Sequence, residues 1–399
     1  MALAVSSGDD AARAASTASH TAGLPVAEPV FCLEFEIRKT HAVQPIKLSQ
    51  ARKSAVGVKV PHTMMESLLI LLSRYREASI AVVAIVLVIY FQISSNGGFL
   101  SPQFMSVVLR DTGRLGLIAA AEVMLMITGE IDLSLSAIFS IAPYIMAFMS
   151  VAWGVPLAVG AVVGVLIGIL VGAINGIITV RFRVPSLITT VGTLFFLQGI
   201  VVSIYNSQPI VAPVEQPFNA IFGQNLYQPS DARLSLHGVT AFTPILWTAL
   251  IVLVLTLVLN RTTFGLHTIA TGSNIIGARE IGVRTDRMKI YNFMIAGGCA
   301  AFAGIINTAQ FTSADPQAGS PFLTLQAIAA AVIGGTSLLG GSGTVIGALL
   351  GAFVVASLNN GLVMIGAQAT VSDIYLGAAI IAAMILSIQV DQLRTRRRL

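Results

Sequence analysis

Apolar runs long enough to cross a lipid bilayer recur along this chain and restrict its fold more than any other feature. From Glu66 onward we identify ten, at about 78–94, 115–128, 134–153, 156–180, 185–205, 241–260, 289–309, 322–339, 343–365 and 371–390. An α-helix needs about 20 apolar residues to cross about 30 Å of hydrocarbon. A soluble core could bury one such run but not ten, so the sequence predicts an all-α, polytopic helical membrane protein with about ten transmembrane helices. The second run is short and contains Glu122, which leaves nine or eleven spans as alternatives.

Composition supports the same class of protein. Hydrophobic residues make up 55% of the 399 residues and charged residues only 10%, against about 25% charged in a soluble domain. The net charge of +5 would suit a nucleic-acid-binding protein, but the basic residues flank apolar runs. We therefore interpret them as topology signals and predict no nucleic-acid partner. Two cysteines, Cys32 and Cys299, provide neither a disulfide framework nor a cysteine-based metal site.

The basic residues also predict the sidedness of the spans. With an inside N-terminus and ten spans, eleven basic residues fall on the inner side and three on the outer side. The inner set is Arg181, Arg183, Arg261, Arg279, Arg284, Arg287, Lys289, Arg394, Arg396, Arg397 and Arg398, and the outer set is Arg110, Arg114 and Arg233. This bias follows the positive-inside rule. It predicts a multi-pass protein of the bacterial cytoplasmic (inner) membrane with both termini in the cytoplasm and an irregular outer cap at 206–240.

Three regions of different composition divide the chain. Residues 1–65 are small and polar with no periodicity, which predicts a disordered cytoplasmic extension. Met64 and Met65 directly precede the apolar part, so a start of translation there, which would omit the extension, is an alternative. Residues 66–390 form the predicted transmembrane domain, and residues 391–399 form a basic cytoplasmic tail.

The stretch "GEIDLSLS", residues 129–136, places Glu130 and Asp132 within one of the most apolar parts of the chain. A charge at the centre of a bilayer costs at least about 2.5 kcal/mol. If Gly129 breaks the second span, Asp132 or Ser134 can cap the next helix. The sharper alternative is a functional junction, because non-helical backbone at membrane depth is tolerated where it is buried or lines a cavity. Glu122 is not explained by capping, so we expect it to be protonated or turned toward the bundle interior.

Two spans carry glycine at every fourth position. The fourth span has Gly160, Gly164, Gly168, Gly172 and Gly176, and the ninth has Gly343, Gly347 and Gly351. Small residues at this spacing let two helices approach closely in lipid. Tight helix packing is therefore the main interpretation, and a direct role in a substrate path is the alternative.

The loop 261–290 is too long and too patterned for a simple connection. Its segment "SNIIGAREIGV" predicts a short helix with Ser273 or Asn274 as N-cap and Gly282 as the C-terminal stop. Such a helix suits a docking element for a soluble partner, and a plain surface loop is the alternative. The chain has no GxxxxGK[ST] nucleotide-binding loop and no GxSxG motif, and its five histidines lack ligand spacing. We therefore predict that it is not an enzyme and binds no cofactor or metal.

At this point a family resemblance becomes visible. The stretch at 129–136 resembles the "GGIDLSVGS" signature of the ribose-type permeases, the membrane subunits of ABC importers for simple sugars. Four further motifs follow in the family's order: "VPSLITTVGTLFFLQGI" from 184, "ATGSNIIGAREIGV" from 270, "AIAAAVIGGTSLLGGSGTVIGALLGA" from 327, and "LNNGL" from 358. The resemblance covers about residues 98–390 and implies a type II-like importer permease fold.

The resemblance also implies partners and site residues. The 261–288 loop would be the coupling loop that docks a cytoplasmic ABC ATPase, which would hydrolyse the ATP; its residues would be Gly272, Asn274, Ala278, Arg279, Glu280 and Gly282. A second permease copy, identical or related, would complete the translocation path within the membrane lipids. A periplasmic or lipid-anchored sugar-binding protein would deliver a monosaccharide such as ribose or xylose. Our candidates for the path are Glu130, Asp132, Ser134, Thr193, Gln198, Asn359 and Asn360, with hydrogen bonding between helices as their alternative role.

Three other functions stay open at this stage. A permease for branched-chain amino acids or nucleosides belongs to the same wider superfamily. An ion-coupled secondary transporter would work alone and should show ionisable residues in paired broken helices. A purely structural membrane subunit would explain the hydrophobicity but not the patterned loop. Whether transport needs ATP and a separate ATPase separates these alternatives.

Overall fold

The computed structural model describes residues 76–203, 208–213, 215, 218–223 and 243–368, with isolated positions between 374 and 385. The N-terminal extension, the C-terminal tail, most of the loop 206–240 and most of the tenth run lie outside these ranges. The predictions made for them stay predictions.

Helices account for nearly all regular structure in the described part of the chain. In order they are α1 (Arg76–Ser94), α2 (Pro102–Met126), α3 (Leu135–Trp153), α4 (Leu157–Arg181), α5 (Ser186–Ser203), α6 (Phe218–Phe222), α7 (Thr243–Arg261), α8 (Thr263–Ser273), α9 (Ile275–Glu280), α10 (Thr285–Phe311), α11 (Pro321–Ile333) and α12 (Val345–Met364). Two short strands, β1 (Ile210–Val211) and β2 (Ser313–Ala314), pair in antiparallel register. The prediction of an all-α fold is confirmed.

Six of the described helices are long and apolar enough to span a membrane, namely α3, α4, α5, α7, α10 and α12. Each coincides with one of the predicted runs within a few residues. α11 is apolar but shorter, as is the part of α1 from Ser79 to Ser94. α2 has 25 residues but carries charged side chains along its length. The number of spans in the whole chain stays a prediction.

The prediction for the second span was wrong in its start. α2 begins at Pro102, well before the predicted residue 115, and Glu122 does not interrupt it. Ser101 is the N-cap, and its side chain accepts a hydrogen bond from the backbone N–H of Phe104. Proline at the first helical position favours a helix start because its missing N–H needs no partner there. Arg110 and Arg114 therefore lie on a helix rather than in the outer loop to which we assigned them.

The eighth span was also misjudged, because the helix ends earlier than predicted. α11 stops at Ile333, and the residues up to 343 form a glycine-rich turn. The backbone N–H groups of Gly335 and Thr336 bond back to carbonyl groups of Val332 and Ala331. These bonds close the C-terminus of α11 and send the chain directly into α12.

α2 forms the centre of the bundle. It packs against α7, α10, α11 and α12, and every residue from Leu115 to Met126 is buried. A helix that is hydrophobic on all sides belongs in the interior of a bundle, whereas a lipid-facing helix can be buried on one side only. α4 illustrates the second case, since Val162, Leu166 and Leu170 on its outer face are exposed.

The glycine series of α4 forms a tight helix interface, which confirms the packing interpretation. All five glycines are buried. A methyl group at Gly160 or Gly164 would crowd the backbone of α3, and one at Gly168, Gly172 or Gly176 would collide with the backbone of α10. Gly347 and Gly351 on α12 meet carbonyl groups of Gly334 and Ala330 in the same way, while Gly343 precedes α12 and lies against Thr336.

The connections fall at two ends of the bundle, as the alternation of spans requires. β1, from the long outer loop, pairs with β2, which follows α10. At the other end, the backbone N–H of Gly341 donates to the carbonyl of Ile127 at 2.8 Å, joining the turn after α11 to the end of α2. The fold thus brings together the turns that we predicted to share the inner side.

Candidate functional site

The break between α2 and α3, residues 127–134, is the first part of the site. Gly129 adopts φ +82°, a left-handed conformation that glycine reaches without steric cost, so it ends α2 as predicted. Two backbone N–H groups of the break, which have no partner within a helix, donate to side chains of α5. Leu133 N–H donates to Thr190 Oγ1 at 3.1 Å, and Ile131 N–H donates to Ser186 Oγ at 3.4 Å. The break is therefore an ordered, hydrogen-bonded structure.

Asp132 organises the start of α3. Its Oδ1 accepts hydrogen bonds from the backbone N–H of Ser134 at 2.8 Å and from Ser134 Oγ at 2.6 Å. Ser134 holds the N-cap position but makes no capping bond with its side chain. Of the two residues that we predicted as caps of α3, Asp132 is therefore the one whose side chain accepts a backbone N–H.

Glu122 points into the bundle and meets the break from within α2. Its Oε1 accepts a hydrogen bond from the backbone N–H of Asp132 at 3.0 Å. Its Oε2 is buried and has no partner among the described residues. The interior orientation, one of the two alternatives for Glu122, is therefore correct.

Asn175 and Thr193 extend these contacts to α4 and α5. Asn175 Nδ2 donates to Ser134 Oγ at 2.9 Å and to Asp132 Oδ2 at 3.4 Å, and Thr193 Oγ1 donates to Asn175 Oδ1 at 2.6 Å. We call Glu122, Asp132, Ser134, Asn175 and Thr193 the buried polar cluster. Asn175 was missed in the sequence, although an amide inside the apolar, glycine-spaced α4 is a signal that could have found it.

An ion pair connects the break to α10. Glu130 Oε1 contacts Lys289 Nζ, and the side chains of Glu130 and Lys289 are only 12% and 17% exposed. Opposite charges taken partly out of water are bound more strongly than a surface pair. Glu130 therefore anchors the break to the first turns of α10 instead of pointing alone into a cavity.

The predicted coupling helix is present as α9. Asn274 is its N-cap, and the side-chain Oδ1 accepts from the backbone N–H of Gly277 at 3.0 Å. Gly282 follows with φ +90°, and the backbone N–H groups of Gly282 and Val283 bond back to Arg279 and Ala278. Both predicted helix boundaries are confirmed, with Asn274 rather than Ser273 as the cap.

The orientation of α9 separates an inner face from an outer face. Ala278 is buried against the rest of the protein, whereas Ile276 is 69% and Ile281 is 78% exposed. Glu280 is also exposed. Ile276 lies in α9 and Ile281 is its C-cap residue, so the helix and its C-terminal end each expose an apolar side chain. Neither isoleucine was among the predicted coupling residues.

The end of α8, which leads into α9, lies directly against the break. A methyl group at Gly272 would collide with the carbonyl of Ile127, so the end of α8 lies against the end of α2. Ser273 Oγ donates to the carbonyl of Gly341 at 3.3 Å. On the far side of α9, Arg279 binds Asp286 at 2.6 Å and Thr285 Oγ1 at 2.8 Å, which ties α9 to α10. Displacement of α9 would therefore act on both the break and α10.

The remaining predicted path residues do not join the buried polar cluster. Gln198 and Asn359 are partly exposed and make none of its hydrogen bonds. Asn360 donates to Asp111 Oδ2 at 3.0 Å in a separate contact between α12 and α2. Within the described part of the chain, no group of three or more His, Cys, Asp or Glu side chains could hold a metal ion.

The fold and these contacts define a multi-pass helical membrane protein in which a short surface helix is linked to the turn between α2 and α3. Residues 104–384 match the family described as branched-chain amino acid transport system / permease component, and the chain belongs to that family. It is the permease subunit of an ABC importer, a transport component rather than an enzyme. An importer of this class implies an ATPase and a substrate-binding protein as partners.

Individual relatives agree with this assignment. The xylose/arabinose import permease protein XylH of Sulfolobus acidocaldarius is 34% identical over 284 residues, covering 70% of this chain and 74% of that protein. The autoinducer 2 import system permease protein LsrC of Photorhabdus luminescens is 34% identical over 263 residues, covering 66% and 75%. LsrC of Salmonella choleraesuis is 32% identical over 288 residues, covering 71% and 78%. No solved structure matches the chain.

Proposed function

We propose that this permease carries a simple sugar, in the class of ribose, xylose and related monosaccharides, through a path that it forms with a second permease copy. The similarity to XylH and the five ordered motifs support a sugar. The family description names branched-chain amino acids, which makes them the second candidate substrate. We further propose that the inner ends of the helices face the cytoplasm of a bacterial inner membrane, following the basic residues.

The observation that carries the coupling role is the exposure of Ile276 in α9 and of Ile281 at its C-cap, on a short helix whose ends are marked by Asn274 and Gly282. We propose that these isoleucines enter a groove of the ATPase, while Ala278 and Gly272 pack α9 and α8 onto the permease. Arg279 ties α9 to α10, and Glu280 lies at the rim of the contact. ATP would be hydrolysed by the ATPase alone.

Mechanical transmission follows from the contacts already described. When the ATPase displaces α9, the Arg279–Asp286 contact moves the start of α10, and the Lys289–Glu130 pair moves the break. Because the glycine interface joins α4 tightly to α10, these two helices would move as one body. Net transport requires that the two states differ in affinity for their ligands, since a ligand that binds both equally shifts nothing.

The path residues divide into two groups under this proposal. Asp132, Ser134 and Thr193 act in the buried polar cluster as an inner hinge, with Glu130 as its anchor. Gln198, Asn359 and Asn360 are candidates for the wall of the path, because they keep partly exposed polar groups on α5 and α12.

A double substitution on α9 tests the coupling role. Ile276→Asp/Ile281→Asp should abolish co-purification of the ATPase and ATP-dependent uptake of radiolabelled xylose in reconstituted vesicles. Both side chains are exposed, so the variant should elute as a folded protein in gel filtration. Ile276→Val/Ile281→Val is the matched control and should retain binding and uptake. Uptake that persists without any ATPase would instead identify a secondary transporter. Uptake of leucine in preference to xylose would select the second candidate substrate.

A further inference from the structure

A basic cleft lies beside the break at the inner end of the bundle, and Thr179, Arg181 and Arg183 in its wall have no part in the coupling role. Its volume is about 870 Å³. It is bounded by the end of α4, the turn between α4 and α5, the end of α9 and the start of α10. The residues that line it are Glu130, Ile177, Thr179, Val180, Arg181, Arg183, Val184, Pro185, Arg279, Asp286, Lys289 and Ile290.

The charges in the cleft do not balance. Both acidic residues are already paired, Glu130 with Lys289 and Asp286 with Arg279. Arg181 and Arg183 are exposed and form no ion pair with any described residue. Two guanidinium groups therefore face the cleft without a counter-charge, and guanidinium groups bind phosphate in a bidentate geometry.

Thr179 gives an independent indication of a ligand. It is only 8% exposed, and its Oγ1 has no hydrogen-bond partner in the described structure. A buried hydroxyl without a partner is unfavourable, and the Thr179 hydroxyl does not bond to the carbonyl of the preceding turn, as a helical threonine can. Thr179 lines the same cleft as the two arginines, so a phosphate oxygen bound there would satisfy it.

The surroundings of the cleft favour a lipid over a soluble anion. Exposed apolar side chains lead along the outer face of α4 to the cleft, at Leu166, Leu170, Ile174 and Ile177. Their spacing of three and four residues places them on one helix face, and Ile177 also lines the cleft. Basic pockets at the ends of transmembrane helices bind anionic lipid headgroups.

We propose that this cleft binds an anionic phospholipid, with its phosphate on Arg181, Arg183 and Thr179 and an acyl chain along the outer face of α4. The lipid would occupy the space between the α4–α5 turn and the start of α10. The inference goes beyond the proposed transport function, because binding can be measured without transport.

Native mass spectrometry of the detergent-purified, full-length chain tests the proposal. The chain is titrated with phosphatidylglycerol and, separately, with phosphatidylcholine. Phosphatidylglycerol should be retained preferentially, and Arg181→Gln/Arg183→Gln should weaken that binding by about fivefold for each arginine removed. Arg261→Gln/Arg287→Gln is the matched control. It removes the same charge from exposed residues that do not line the cleft, and it should leave binding unchanged.

Two further arms distinguish a built lipid site from diffuse charge attraction and from a site for a free anion. Thr179→Val keeps the side-chain shape but removes the hydroxyl, and it should weaken phosphatidylglycerol binding several-fold. If the two double arginine variants lose phosphatidylglycerol binding equally and Thr179→Val has no effect, the attraction is diffuse and the proposal is overturned. Displacement of the lipid by millimolar inorganic phosphate would also overturn it, by showing a site for the free anion.

Discussion

Lys289, on the second turn of α10, forms an ion pair with Glu130, which lies 159 residues earlier in the break after α2. The pair connects the turn between α2 and α3 to α10, the helix that follows α9.

Removal of one partner of this pair should destabilise the protein. Lys289→Met removes the ion-pair partner of the largely buried Glu130 carboxylate, which costs about 3 kcal/mol. We expect a lower midpoint of thermal unfolding in detergent, measured by intrinsic fluorescence. The double variant Glu130→Gln/Lys289→Met should recover most of the loss, because no charge is then left alone. Equal losses in the single and double variants would contradict the role of the pair.

Glycine-to-alanine substitution should have opposite effects on stability at two positions, one inside the interface between α4 and α10 and one outside it. Gly172→Ala places a methyl group against the backbone of Phe293 and should cost about 1–3 kcal/mol through overpacking. Gly192→Ala on α5 meets no atom within 4 Å and should be neutral or stabilising by up to about 1 kcal/mol, because alanine favours helix formation. Thermal unfolding checks both expectations: the midpoint should fall for Gly172→Ala and stay the same or rise for Gly192→Ala. A neutral Gly172→Ala variant would mean that α4 and α10 are not tightly packed.

The buried polar cluster should respond cooperatively to mutation. Asn175→Ala removes the side chain that donates to Asp132 and Ser134 and accepts from Thr193, and the loss of these buried hydrogen bonds should cost about 1–3 kcal/mol. Thr193→Val alone should cost less, because Asn175 keeps its bonds to α3. The double variant should lose less stability than the sum of the single variants. Strict additivity in the measured unfolding free energies would show that the two side chains do not act together.

Gly282 offers a test of α9 that leaves the core unchanged. Its φ of +90° disfavours alanine, although a methyl group there would meet no neighbouring atom. Gly282→Ala should therefore weaken ATPase binding through backbone strain of about 1 kcal/mol or more, with little change in the thermal midpoint of the bundle. Gly282→Asn is the matched control, since asparagine tolerates positive φ better than alanine. Titration of the purified ATPase onto each variant measures the effect.

Sequence periodicity predicted the helices but not their three-dimensional contacts. The apolar runs located the long helices, and Asn274 and Gly282 marked both ends of α9, because these signals act within a few residues of the chain. We predicted the start of α2 too late, because its first half contains the charged residues Arg110 and Asp111. Both side chains contact distant helices, and these contacts cannot be recognised from the local sequence. Asn175 was overlooked for a related reason. Its importance depends on Asp132 and Thr193, which are adjacent to it only after folding.

The charged first half of α2 has a consequence for the order in which the protein assembles. Asp111 accepts a hydrogen bond from Asn360, which lies 249 residues further along the chain, and the Arg110 guanidinium lies 5.3 Å from the ring centre of Phe311. Neither partner has been synthesised when α2 leaves the ribosome. α2 can therefore form both contacts only after α10 and α12 have been synthesised, and a chain truncated before α10 should hold α2 in the bilayer less stably than the full chain does.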